Sequence, residues 1–197
     1  RIQFDKELIT ISLIIVINRI LLFFLVGIFL SSTLFPSLNT INEAFTHFDS
    51  EWYLDIANNG YDDTYPQIDP SSIECNMGTN ECQRNFAFFP LYPLTIRTVS
   101  RVFNIDTQIT GIILSNIFFI LASILFYYFV KEIKGKRIAM ISLFVLLTFP
   151  VSYLFSAVMS ESLFLLLLIS TIYLAYKKKW LLATLTGLLL SATRNAG

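Results

Sequence analysis

A helical, polytopic membrane fold is predicted by two observations: apolar residues gather into five long runs, and charge is sparse and sits mostly between those runs. Of the 197 residues, 55% are hydrophobic and 14% charged, where soluble domains carry about 25% charged residues. The formal net charge is zero, so no basic balance points to a nucleic-acid partner. The position of the charges carries the information instead.

The first apolar run covers about residues 8–35 and is interrupted by Asn18 and Arg19. It reads as one long tilted span with Arg19 snorkelling to the headgroups, or as a surface segment over residues 1–18 followed by a shorter helix. A polar stretch over 36–106 follows, then apolar runs at 109–130, 138–156, 162–176 and 180–197. The stretch 180–194 makes roughly 22 Å of helix, short of a hydrocarbon core of roughly 30 Å. That shortfall predicts that the sequence is part of a longer protein.

Lys and Arg set the expected orientation. Lys6 flanks the first run, Lys131, Lys134, Lys136 and Arg137 separate the second and third, and Lys177, Lys178 and Lys179 separate the fourth and fifth. These sites alternate, and the positive-inside bias places all three in the cytosol. The 36–106 loop and the 149–161 connection then face the extracytoplasmic or lumenal side. Arg84, Arg97 and Arg101 stand against the bias, but a loop this long translocates regardless of its charge.

The long loop has its own pattern. Trp52, Tyr53, Ile56 and Ala57 fall at helical spacing within residues 49–59, and Gly60 supplies a stop. Residues 90–103 read as a second helix, entered through Pro90 and Pro93, with Leu94, Val99 and Val102 alternating with Arg97 and Arg101. Both read as interfacial helices. Between them, 61–85 is a polar loop. It holds the only two cysteines, Cys75 and Cys82, which in an oxidising compartment pair as a disulfide and otherwise stay as two free thiols. The only histidine, His47, is far from them in sequence, which argues against a zinc site.

Ionisable groups near membrane depth are costly and usually functional. Asp49 reads either as a general base or acceptor-binding carboxylate, or as the N3 member of a capping box whose N-cap is Thr46. Glu161, between Ser160 and Ser162, reads as a second carboxylate at the same surface or as part of a helix-opening cluster. Arg97 and Arg101, four apart, share a helix face suited to gripping a lipid phosphate or to snorkelling. Arg194 lies 14 residues past Trp180, roughly 21 Å into the membrane from the cytosolic side, and a buried arginine there calls for an anion, from a lipid phosphate or from a neighbouring helix. Phe86, Phe88, Phe89 and Tyr92, with Pro90 and Pro93, suit either a polyprenyl groove or an interfacial aromatic belt.

The segment His47-Phe48-Asp49-Ser50-x-Trp52-Tyr53-x-x-Ile56-Ala57-x-x-Gly60-Tyr61 resembles the signature of the PIG-V type mannosyltransferases. Phe88-Phe89-Pro90-Leu91-Tyr92-Pro93 with Arg97, Ser160-Glu161-Ser162-Leu163-Phe164, and Thr193-Arg194-x-x-Gly197 resemble further motifs in the family's order. The resemblance runs from about residue 15 to the C-terminus. The sequence departs from the pattern at Phe48, where Trp is usual, at Met159, where Tyr is usual, and at Asn195, where Pro or Ser is frequent.

This resemblance implies an all-helical GT-C glycosyltransferase with an essential Asp in its first outer loop. Such an enzyme moves a hexose, usually mannose, from a dolichyl- or polyprenyl-phosphate donor to a lipid-linked or glycan acceptor, inverting the anomeric centre. Asp49 matches the loop Asp, and Glu161 and Arg194 match charged family positions. His47, Arg97, Arg101, Trp52 and Tyr92 join Arg194 as expected donor-phosphate or acceptor contacts. No cofactor is expected, and the outer loop has no Asp-x-Asp to imply a metal. The rival readings are a polytopic transporter, which calls for polar residues strung along the spans, and a non-catalytic membrane subunit.

Overall fold

The structure is a computed structural model, and it describes residues 2–31, 38–61 and 85–194. All regular structure among the described residues is helical: α1 (Ile2–Ser31), α2 (Leu38–Ala44), α3 (Ser50–Asn58), α4 (Leu91–Phe103), α5 (Thr107–Lys134), α6 (Lys136–Thr148), α7 (Glu161–Tyr176) and α8 (Trp180–Ser191). Short 3₁₀ turns cover Asn85–Ala87 and Ser152–Phe155. The cysteine pair Cys75 and Cys82 and the polar loop around it lie outside the described residues.

Among the described residues, two helices are long and apolar enough to cross a membrane. They are α1, over Lys6–Phe29, and α5, over Thr107–Lys134. The shorter α7 and α8 are apolar along their length. Large apolar side chains face outward on each of the long helices, among them Leu13, Ile17, Leu21 and Phe29 on α1 and Ile113, Ile117 and Leu121 on α5. Contiguous apolar surface of this kind marks a membrane or protein contact.

Local chemistry explains most boundaries. Asp106 caps α5 by accepting from the backbone N–H of Gln108 (2.8 Å) and Ile109 (3.2 Å). Gly135, at φ +83°, ends α5 and turns the chain into α6 where a residue with a Cβ is strained. Helix α6 is shorter than the 138–156 run predicts. It stops at Thr148 because Phe149 precedes Pro150 and is driven to extended backbone (ψ 133°). Residues 149–160 then form a folded connection that brings Ser160 and Glu161 to the start of α7.

α5 is the central helix, in contact with α1, α3, α4, α6 and α7. One apolar cluster joins Phe45, Tyr53, Ile56, Tyr92, Ile96, Val158 and Leu163. A second, further along α5, joins Ile11, Ile15, Phe119, Tyr127, Ala139 and Leu143. The 149–160 connection is seated between them. The Val158 N–H donates to the Phe45 carbonyl (2.9 Å). Gly111 lies so close to Val158 that a Cβ there would come within 2.6 Å of a valine methyl.

The single long helix expected for the first run stands, and Arg19 corrects the expectation of snorkelling and the alternative of a surface segment over 1–18. Helix α1 is continuous through Arg19, and the side chain turns into the bundle, where only 3% of the residue is exposed. Its guanidinium donates to the Ser152 carbonyl (3.0 Å) and the Asn18 side chain (2.6 Å) and lies 4.4 Å from the centre of the Phe119 ring. A snorkelling arginine needs an open path to the headgroups. Here the connection after α6 closes that path.

Candidate functional site

Helix α3 begins after an unusual turn. Phe48, exposed, has φ +61°, a left-handed conformation that costs a bulky residue on the order of 1–3 kcal/mol. The turn places Asp49 at the N-cap of α3, yet its carboxylate makes no capping hydrogen bond. The capping-box expectation therefore fails. Thr46 donates back to the Asn42 carbonyl (2.9 Å) and accepts from Gln108 (2.9 Å), so its hydroxyl is committed elsewhere. Ser50 donates to the His47 carbonyl (2.8 Å). His47 and Asp49 are both exposed.

One turn further along, Tyr53 is buried, and its hydroxyl shares a 2.9 Å hydrogen bond with Ser160. This bond links α3 to the residue just before Glu161. Burial pushes the Tyr53 phenol above its ordinary value; the neighbouring carboxylates of Glu161 and Asp49 push the same way, while Ser160 and Arg194 oppose them. The Tyr53–Ser160 bond and the Arg194–Glu161 ion pair (2.8 Å) thus join three distant parts of the sequence.

Glu161 opens α7, ahead of the apolar run 162–176. One carboxylate oxygen accepts from Arg194 at 2.8 Å. The other, Oε2, is buried and has no hydrogen-bond partner among the described residues. Burial raises the Glu161 carboxyl above the ordinary range; its own backbone N–H and Arg194 pull it down, and Asp49 adds to the rise. Arg194, just past α8, is half exposed and makes this single contact from one end of its guanidinium. The expected anion for Arg194 is therefore, in this structure, a carboxylate on α7.

The remaining predicted residues divide. Trp52 is half-buried and stacks on Phe88 (5.8 Å between centroids, 14° between planes). Beside it, Tyr61, Phe86, Phe88, Phe89 and Pro90 line an aromatic cleft of about 340 Å³. Tyr61 stacks on Phe86 (6.1 Å) and donates to the Phe88 carbonyl (2.6 Å).

Three expected binding residues are placed otherwise. Tyr92 is fully buried and bonds to Ser115 (2.6 Å) in the core, so it braces α4 on α5 and has no open face for a ligand. Arg97 donates to the carbonyls of Ala57 (2.6 Å) and Ile56 (2.7 Å). It caps the C-terminus of α3, where free carbonyls and the helix dipole attract a cation. Arg101 is exposed on the last turn of α4. The two arginines therefore do not form a shared phosphate clamp. The buried face of α4 carries Tyr92, Ile96 and Ser100, while Leu94 and Val102 point outward.

Sequence reasoning missed Tyr53 and Ser160 as a pair. The spacing of Tyr53 with Ile56 and Ala57 marks it as core, and nothing local reveals that its hydroxyl meets a serine 107 positions away. Among the described residues no group of three or more His, Cys, Asp and Glu side chains is placed to hold a metal ion. No family model, curated protein or solved structure matches the chain.

Proposed function

We propose that the chain carries the catalytic face of a glycosyltransferase, transferring a hexose, mannose by the resemblance, from a polyprenyl-phosphate donor to a hydroxyl of a lipid-linked or glycan acceptor. The supporting observation is the pair of contacts that join the start of α3 to Glu161 and Arg194, Tyr53 to Ser160 at 2.9 Å and Arg194 to Glu161 at 2.8 Å, with the Asp49 carboxylate free of capping bonds and Glu161 Oε2 unpartnered among the described residues. An orphaned buried acceptor costs about 1–3 kcal/mol, which a hydroxyl donor from a ligand would offset.

In this reading the acceptor hydroxyl attacks the anomeric carbon from the face opposite the phosphate. The bond from that carbon to the phosphate oxygen breaks, and its electron pair leaves with the lipid phosphate. Asp49 takes the hydroxyl proton. Arg194 swings from Glu161 to the developing phosphate charge. Glu161 then holds an acceptor hydroxyl, and the cleft beside Trp52 takes the first isoprene units. A phosphate leaving group requires no protonation, so one basic carboxylate suffices.

The test is transfer from radiolabelled polyprenyl-phosphate mannose by the full-length protein, wild type against Asp49→Asn. Asn keeps the size and the capping capacity but lacks the base. Turnover is expected to fall at least ~100-fold, with the melting temperature little changed. Near-normal turnover by well-folded Asp49→Asn removes Asp49 from the mechanism. Absence of transfer by the wild type across polyprenyl-phosphate sugars returns the chain to the transporter or non-catalytic reading.

A further inference from the structure

At the end of the bundle remote from Glu161, α1, the end of α5 and the start of α6 enclose a pocket of about 370 Å³ lined by Lys6, Glu7, Thr10, Ile11, Tyr127, Lys136 and Met140. Its floor is a saturated ionic cluster. The Glu7 side chain is 15% exposed and accepts from the Tyr127 hydroxyl and from Lys131, each at 2.6 Å. Its rim is cationic. Lys6 is exposed, and Lys136, 69% exposed, stands 3.9 Å from Glu7. One wall is apolar, built from Ile11 and Met140. Ile14 of α1 and Phe144 of α6, three and four residues further along the faces of Ile11 and Met140, are exposed.

Three features select the ligand. With Glu7 already matched by Lys131, the two rim lysines leave the pocket with excess positive charge, which an anion neutralises. The apolar wall next to them suits a ligand that is charged at one end only. Finally, the two stretches apolar enough to span a membrane, Lys6–Phe29 and Thr107–Lys134, have ends at this same pocket. In a bilayer those ends lie at headgroup depth, whichever side of the membrane that is. We propose that this pocket binds the headgroup phosphate of an anionic membrane phospholipid, with Lys6 and Lys136 on the phosphate and the acyl chains against the exposed apolar Ile14 and Phe144. The site is separate from the proposed sugar transfer and rests only on the membrane reading of α1 and α5.

The test is lipid binding to the purified full chain, read by native mass spectrometry and by thermal melting. Discs of phosphatidylcholine are compared with discs that also contain phosphatidylglycerol. Wild type is expected to retain phosphatidylglycerol selectively. The double variant Lys6→Gln with Lys136→Gln is expected to weaken that retention at least about tenfold, while melting as wild type in phosphatidylcholine alone. The matched control, Lys178→Gln with Lys179→Gln, removes the same charge at the α7–α8 turn and is expected to retain the lipid. Equal loss in both double variants overturns the pocket in favour of diffuse surface charge. Binding of inorganic phosphate alone with the same lysine dependence overturns the lipid assignment. A chain that floats with phosphatidylcholine vesicles but prefers no headgroup defeats the pocket alone; one that does not float defeats the membrane reading on which it rests.

Discussion

Glu7 and Glu161 sit at opposite ends of the bundle in similar company, each with a basic partner and a tyrosine nearby, yet their carboxylates are used differently. Both oxygens of Glu7 are engaged, one by Tyr127 and the other by Lys131. Glu161 spends one oxygen on a half-exposed Arg194 and leaves the other buried and empty. The nearby Tyr53 hydroxyl bonds to Ser160 instead of to Glu161. A saturated carboxylate holds helices together. An unsaturated one keeps bonding capacity for something that arrives later.

The largest expected effect is in turnover. Glu161→Gln is expected to lower sugar transfer by roughly 10–100-fold, the loss of a charge-assisted hydrogen bond to the acceptor, while costing little stability, since the carboxylate it removes is half satisfied. A larger loss of melting temperature than of turnover would make Glu161 a structural residue like Glu7.

The reverse is expected at the other end. Glu7→Gln is expected to destabilise the chain by about 1–3 kcal/mol, because Lys131 and Tyr127 lose a shared anion, with turnover per folded molecule retained. Denaturant melts paired with single-turnover assays separate the two outcomes.

Gly111→Ala tests the scaffold beneath Glu161 without touching a charge. The added methyl meets Val158 at 2.6 Å, and overpacking of this kind costs about 1–3 kcal/mol. Since Val158 belongs to the connection that ends at Ser160, transfer is expected to fall several-fold along with the melting temperature. Val158→Ala, combined with it, is expected to restore part of both.

The smallest effect is in the pH dependence of stability. Glu161 binds its proton more tightly in the folded state than the ordinary 4.5. Its contribution is therefore fully present below that value and is lost as pH rises through the raised folded value. Most carboxylates act in the opposite sense. Subtracting the Glu161→Gln profile from wild type between about pH 4 and pH 7 isolates this term, which is expected to decline with pH. A flat difference places Glu161 in contact with water.

Much of the fold is legible where one local rule dominates. Helical spacing over Tyr53, Ile56 and Ala57 with Gly60 behind them places α3 within one residue, and the apolar run at 109–130 lies inside α5. The 138–156 run misleads because composition continues past Pro150 while the backbone does not. α2 is too short and polar for periodicity to reveal. In the site, Asp49, Glu161 and Arg194 stand out as charges flanking apolar runs. Their company does not: whether Arg97 grips a ligand or caps α3 depends on carbonyls 40 and 41 positions away, and no local pattern encodes that distance.

The buried Arg19 has a consequence for how such a chain is made. The carbonyl that receives its guanidinium belongs to a residue 133 positions later. At a synthesis rate of ~5–20 residues per second, α1 exists for about 7–27 s before Ser152 leaves the ribosome. During that interval a cation near the centre of a transmembrane helix carries an insertion penalty of about 2.5–3.5 kcal/mol, which the apolar remainder of Lys6–Phe29 offsets. On the membrane reading of α1, entry of the first helix and docking of the α6–α7 connection are therefore separate events in biogenesis. On that reading, a chain truncated before Ser152 would leave Arg19 within the bilayer with only the neighbouring Asn18 side chain to receive it, a feature that quality-control machinery in a membrane is suited to detect.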